Sequence, residues 1–137
     1  MERLIAATAL AVVVTAACYL AALGACALIR PEIARRFLGG LATTRRVHFL
    51  ELGLRVAVGA ALILSAPRMA FGMIVIVFGS VLVATSIGLA LVPWRLHQRF
   101  ASWAVPRATR YLPLIGISSL VGAMGLFAAV ILPHVTT

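Results

Sequence analysis

Four long apolar stretches constrain the fold of this 137-residue chain more than any other feature. They cover residues 4–29, 47–66, 69–92 and 112–132, and each has at least 20 residues. A helix of that length crosses the roughly 30 Å hydrocarbon core of a bilayer. Because every backbone amide in lipid must be bonded internally, and no alternating β-barrel pattern is present, the sequence predicts an all-α membrane protein with four transmembrane helices in a single domain. The first stretch is too long for a typical cleaved signal, although the segment 23–26, Leu-Gly-Ala-Cys, resembles a lipoprotein cleavage site.

The arginines are distributed unevenly along the chain. All twelve basic residues are arginine, and nine of them lie in two loops, one between the first two stretches and one between the last two. Basic loops of membrane proteins face the cytoplasm, so both termini are expected outside, in a bacterial inner membrane. A sequence pI near 11.7 is also typical of nucleic-acid-binding proteins. The position of the arginines beside apolar stretches favours the membrane interpretation, and no nucleic acid partner is expected.

The two basic loops resemble each other at an offset of 63 residues. The shared residues are Ile33, Arg36 and Phe37 in the first loop and Leu96, Arg99 and Phe100 in the second. This similarity predicts two tandem helical hairpins, related by an axis along the membrane normal. Chance similarity between two arginine-rich loops is the alternative interpretation.

Each basic loop is predicted to form a short amphipathic helix at the membrane interface. In the first loop Pro31 suits an opening helical turn, and the pair Gly39–Gly40 is expected to end it. In the second loop Pro106 is expected to end the helix. Segments of this kind lie among lipid headgroups and attract anionic lipid, which is therefore an expected partner. The predicted interfacial residues are Arg35, Arg36, Trp94, Arg95, Arg99, Trp103, Arg107 and Arg110.

Small residues recur at four-residue spacing in every apolar stretch. They are Ala17, Ala21 and Ala25; Gly53, Ala57 and Ala61; Ser80, Ala84 and Gly88; and Ser118 with Gly122 and Gly125 with Ala129. Lipid provides no hydrophobic drive between helices, so close packing against small side chains has to hold them together. These stripes predict a compact four-helix bundle.

The second apolar stretch contains three ionisable residues, His48, Glu51 and Arg55. Each residue of a helix advances by about 100°, so these three side chains share one face. One interpretation is a structural ion pair, because Glu followed by Arg at i+4 is the favourable order. The other interpretation is a proton-coupled site, in which Glu51 titrates and its two neighbours tune it.

Longer motifs around these residues resemble a known group of proteins. They are Arg-x-His-x-x-Glu-x-x-x-Arg at 46–55 with Ala-Pro at 66–67, Pro-Trp-Arg-x-His-x-x-Phe-Ala at 93–101 and Arg-Tyr-Leu-Pro-Leu-Ile-Gly at 110–116. The chain from Arg30 to Gly122 is similar to short four-helix bacterial inner-membrane proteins. This resemblance implies four spans and a membrane location, and it implies no particular activity.

Several kinds of enzyme chemistry are excluded by residues that the chain lacks. It has no Lys, Asp or Asn, which removes the P-loop lysine, the Schiff-base lysine and aspartate-based metal or phosphoryl sites. The Arg-x-x-x-Asn-x-x-Glu pattern of glutathione-dependent four-helix membrane enzymes is not reproduced around Arg46 and Glu51. We therefore expect a non-catalytic accessory or assembly subunit of a membrane complex, without cofactor or metal. The alternative is a small proton-linked transporter or channel acting as a homo-oligomer.

Overall fold

A computed structural model of the protein describes residues 1–40 and 44–135, and this part of the chain is helical and contains no strand. The helices are α1 (Glu2–Ile29), α2 (Pro31–Gly40), α3 (Arg45–Ser65), α4 (Gly72–Leu91), α5 (Trp94–Ala108) and α6 (Leu112–Val135). Single 3₁₀ turns at Ala66–Arg68 and Thr109–Tyr111 follow α3 and precede α6. The prediction of an all-α fold is confirmed.

Four of the helices are long and apolar enough to cross a membrane. They are α1, α3, α4 and α6, with 28, 21, 20 and 24 residues. At 1.5 Å per residue even the shortest extends for about 30 Å. α4 contains no charged residue on any side, which is typical of a helix surrounded by lipid. Together the four helices indicate a multi-pass membrane protein.

Helix α1 lies at the centre of the helix contacts. It packs against α6 and α3, and α3 in turn packs against α4. Two of these contacts bring backbones together at glycines. A Cβ added to Gly24 of α1 would lie 2.8 Å from the carbonyl oxygen of Gly116 in α6, and one on Gly59 of α3 would lie 2.9 Å from that of Gly79 in α4. Glycine therefore sets the separation of the helices in both pairs.

The small-residue stripes are only partly used for contacts within the chain. Ala17 of α1 and Ala61 of α3 are buried, as predicted. In α4 the buried residues are instead Val75, Gly79 and Ser86. The stripe predicted for α4, formed by Ser80, Ala84 and Gly88, is exposed on the opposite side of the helix. That prediction is wrong for contacts within the chain, because Gly79 rather than Gly88 faces α3.

Helices α2 and α5 contact each other at one end of the long helices, which we call the basic end because both arginine-rich loops lie there. A buried cluster of Ala27, Ala34 and Leu112 holds α2 against α1 and the start of α6. At the opposite end, the backbone N–H of Ala70 donates a hydrogen bond of 2.8 Å to the carbonyl oxygen of Ala129. This bond ties the turn between α3 and α4 to α6.

α2 extends to Gly40, the second glycine of the pair predicted to end it. Two other local features differ from the sequence predictions. α5 continues past Pro106, since a proline this close to the C-terminal end removes only one helical hydrogen bond. α4 begins at Gly72, after Phe71 adopts a left-handed conformation with φ of 59°. A Cβ on Gly72 would lie 2.7 Å from the carbonyl oxygen of Ala66, so this tight turn requires glycine.

Candidate functional site

The ionisable residues of α3 lie in its first three turns, at the basic end. Thr44 caps this helix, because the backbone N–H of Val47 donates a 3.3 Å hydrogen bond to the Thr44 hydroxyl. This cap satisfies one of the backbone donors that a helix N-terminus leaves unpaired. The cap fixes where α3 begins and therefore how far His48, Glu51 and Arg55 lie from the end of the helix.

Glu51 and Arg55 lie within ion-pair distance of each other. The Arg55 guanidinium nitrogen is 3.8 Å from the Glu51 carboxylate oxygen, near the outer limit for a salt bridge. Their side chains are 36% and 38% exposed, so neighbouring helices cover the pair only in part. At that distance the pair gains attraction without forming a short hydrogen bond. The geometry suits the ion-pair interpretation and leaves the carboxylate partly exposed.

His48 is buried, unlike the ion pair one turn further along the helix. Only 3% of its surface is exposed, and its ring meets the Phe49 ring edge-on at a centroid distance of 5.5 Å. The predicted cluster of three residues is thus one buried imidazole beside a half-buried ion pair.

Tyr19 of α1 belongs to the same region and was missed from the sequence. α1, which carries Tyr19, packs against α3, which carries Glu51. The Tyr19 ring also lies 6.5 Å from the Phe37 ring of α2, measured between centroids. Tyr19 therefore connects α1 to α2 at the end of the long helices where α3 carries Glu51. The sequence shows only a single tyrosine in an apolar stretch that contains no charge. The packing of α1 beside α3, which no local pattern reveals, brings the helix of this tyrosine next to that of Glu51.

Several arginines of the basic end already have partners. Arg35 pairs with Glu32 at 3.1 Å, and the Arg45 guanidinium lies over the Phe49 ring at 5.6 Å. Arg107 stacks over the Trp103 ring at 4.0 Å and donates a 2.9 Å hydrogen bond to the Trp103 backbone carbonyl. Such cation–π contacts hold an arginine beside an aromatic ring at an interface.

The remaining predicted interfacial arginines are exposed. They are Arg36, Arg95, Arg99 and Arg110. The side chain of Trp94, also predicted to be interfacial, lies outside the described residues. Trp103 is 56% exposed beside Leu96 and Phe100, at 57% and 63%. α5 therefore presents an apolar surface next to its arginines, which suits a helix at a membrane interface.

A groove of about 320 Å³ opens between α1 and α3. Apolar side chains line it, including Leu4 and Val12 from α1 and Ala57 and Leu64 from α3. The groove has no convergent polar groups of the kind that orient a substrate. Among the described residues no three of His, Cys, Asp and Glu are grouped so that they could hold a metal ion.

A comparison of the chain with known protein families, curated proteins and solved structures finds no match.

Proposed function

We propose that this protein is a non-catalytic component of the bacterial inner membrane, acting as an accessory or assembly subunit of a larger membrane complex. The exposed small-residue face of α4 carries this proposal. α4 makes its main helix contact with α3, while Ser80, Ala84 and Gly88 lie on its far side. A Cβ added to Gly88 would meet nothing within 4 Å.

A face of this kind suits another helix better than it suits lipid. Small side chains let two helix backbones approach closely and gain van der Waals contact, which drives helix association in a bilayer. Within the protein, the glycine contacts between α1 and α6 and between α3 and α4 use the same principle. The exposed small-residue face of α4 would let a helix of a partner subunit approach equally closely.

The helix contacts support a bundle made of two tandem halves. The halves α1–α2–α3 and α4–α5–α6 each contain a long, a short and a long helix. If α1, α2 and α3 correspond to α4, α5 and α6, the α1–α6 pair corresponds to the α4–α3 pair. These two pairs make the most extensive helix contacts in the structure. This correspondence favours duplication over chance similarity of the loops. The contact between α1 and α3 is much more extensive than any between α4 and α6, so the second half is more open.

Charge supports the orientation of this bundle. Nine of the twelve arginines lie at the basic end, which the positive-inside rule places in the cytoplasm. Both ends of the chain then face the opposite side of the membrane.

Photo-crosslinking in native membranes tests the proposed function. A photoreactive amino acid replaces Ala84 on the exposed face of α4, and the matched control replaces Ile117, which is 54% exposed on α6. We expect one discrete adduct with a larger membrane protein from position 84 and none from position 117. Adducts only with a second copy of this chain, or no adduct at all, contradict the proposal.

A proton-linked transporter or channel, acting as a homo-oligomer, is the second candidate. The partly exposed Glu51 carboxylate supports it, because this carboxylate lies beside Arg55 within a helix long and apolar enough to cross a membrane. Ionisable groups in such positions often serve proton pathways. A transporter predicts that Glu51→Gln abolishes proton flux in liposomes while the protein remains folded and abundant. Equal flux from the variant and the unaltered protein excludes this role for Glu51.

A further inference from the structure

The contact between α2 and α5 joins the two basic loops into one surface, which we call the α2–α5 platform. The first loop contributes five arginines and the second contributes four, against the single acidic residue Glu32. The net charge at this end of the protein is therefore +8. Because α2 is anchored through Ala34 to Ala27 and Leu112, the platform is attached to the long helices at the first loop.

Two equivalent pairs of residues lie on the platform, one pair on each helix. Arg36 and Phe37 of α2 correspond to Arg99 and Phe100 of α5 at the 63-residue repeat. All four side chains are exposed, with Phe37 at 45% and Phe100 at 63%. A tandem repeat thus places two matching arginine–phenylalanine pairs on two helices that touch.

The charges of Arg36 and Arg99 are not neutralised by the acids of the chain. Glu32 is occupied by Arg35, Glu51 pairs with Arg55 in α3, and the third acid, Glu2, lies at the opposite end. An arginine guanidinium binds phosphate oxygens through two parallel hydrogen bonds, which a lysine ammonium does not reproduce. Two such groups on touching helices suit a ligand that carries two phosphates.

The apolar side chains on the same helices identify where that ligand comes from. Ile33 is 50% exposed and its repeat equivalent Leu96 is 57% exposed, next to the two phenylalanines. A free polyphosphate has no apolar part that could cover the four exposed apolar side chains. A phospholipid uses both features, since its phosphate meets arginine and its acyl chains cover the apolar residues.

We propose that the α2–α5 platform binds one anionic phospholipid that carries two phosphate groups, with one phosphate at Arg36 and the other at Arg99. This inference rests on the proposed membrane location and names a lipid partner for the basic end. It does not depend on a protein partner, so it stands or falls separately from the accessory role.

Lipid binding to the purified, full-length protein tests the inference. The protein in detergent is titrated with cardiolipin and, separately, with phosphatidylglycerol at equal phosphate concentration, and bound lipid is counted by native mass spectrometry. We expect cardiolipin to bind at least about tenfold more tightly, since each additional charged hydrogen-bond pair contributes that much. Equal affinity at equal phosphate overturns the two-phosphate site and leaves only general attraction to anionic lipid.

Four variants locate the site. Arg36→Gln and Arg99→Gln are each expected to lower cardiolipin affinity to the level of phosphatidylglycerol. Arg99→Lys keeps the charge, loses the planar fork and should fall in between. The control, Arg3→Gln with Arg68→Gln, removes two arginines outside the basic loops and should bind like the unaltered protein. Thermal unfolding followed by circular dichroism verifies that each variant is folded without lipid.

Three further results contradict the proposal. One is a control variant that loses cardiolipin as strongly as Arg36→Gln and Arg99→Gln do. Another is loss from only one of those two variants, which leaves a site on a single helix. The third is displacement of cardiolipin by inorganic pyrophosphate at equal phosphate concentration, which identifies a free polyanion as the ligand.

Discussion

The glycine contact between α3 and α4 makes a sharp prediction about stability. A Cβ on Gly59 would lie 2.7 Å from Val83 Cγ2 and 2.9 Å from the Gly79 carbonyl oxygen, and a Cβ on Gly79 would lie 2.8 Å from the Gly59 carbonyl oxygen. Ordinary van der Waals contact begins at 3.4 Å. The two backbones must therefore separate by about 0.5 Å to admit either methyl group, and a backbone carbonyl cannot rotate away as a side chain can.

The size of the effect follows from two opposing terms. Overpacking a close contact costs about 1–3 kcal/mol, whereas alanine exceeds glycine in helix propensity by about 1 kcal/mol. We therefore expect Gly59→Ala and Gly79→Ala each to lower the free energy of unfolding by about 0–2 kcal/mol, which is about 1–3 kcal/mol below a glycine-to-alanine change without a clash. Because one separation of the helices relieves both clashes, the double variant should lose less than the sum of the single variants.

The same helices provide matched controls. A Cβ on Gly53 of α3 or on Gly88 of α4 meets nothing within 4 Å, so Gly53→Ala and Gly88→Ala should be neutral or slightly stabilising. The free energy of unfolding is measured for all variants by denaturant titration in the same detergent. If Gly59→Ala and Gly79→Ala are as stable as these controls, the proposed packing of α3 on α4 is refuted.

Other predictions concern the ion pair, the orientation and the helix cap. Glu51→Gln should destabilise the protein, because it leaves the Arg55 charge unpaired in the membrane, and adding Arg55→Gln should restore part of the loss. If the losses in unfolding free energy of the two single variants simply add in the double variant, the ion pair is excluded. In a cysteine-free background, Pro67→Cys should react with an impermeant thiol reagent only from outside the cell, and Ser102→Cys only from the cytoplasm. The reverse labelling pattern would show that the topology is inverted. Thr44→Ala should cost about 1 kcal/mol of unfolding free energy, and Thr44→Ser should retain most of it; no loss excludes the cap.

Sequence periodicity and charge were sufficient to predict the helices but not to predict which helix faces pack against each other. Long apolar stretches define membrane helices because the bilayer permits few alternatives, and the helices agree with those stretches within a few residues. The face of α4 that packs was predicted wrongly, since Gly79 and Gly88 are equally small and only the position of α3 distinguishes them. Likewise, the missing N–H of proline predicts that α5 ends at Pro106. Pro106 lies in the last turn of α5, where the helix tolerates the loss of one hydrogen bond and continues to Ala108.

The candidate site shows the same division between local and tertiary information. The spacing of Glu51 and Arg55 follows from one helix, and their 3.8 Å approach is the geometry that an i, i+4 pair permits. Tyr19 is 32 residues away in sequence, and no local pattern connects it to the carboxylate. The contact between α2 and α5 is equally non-local, because two loop helices meet only when the long helices that carry them have packed.

Purification of the tagged protein from its native membrane in mild detergent, followed by native mass spectrometry, tests the proposed accessory role most directly. We expect a stoichiometric complex with a larger membrane protein, which is lost in Ala84→Leu on the exposed face of α4 and kept in the control Ile117→Leu on α6. A defined homo-oligomer with no other protein bound, or a complex that Ala84→Leu leaves unchanged, contradicts the accessory role. The first of these results would make proton flux through the Glu51 site the leading function.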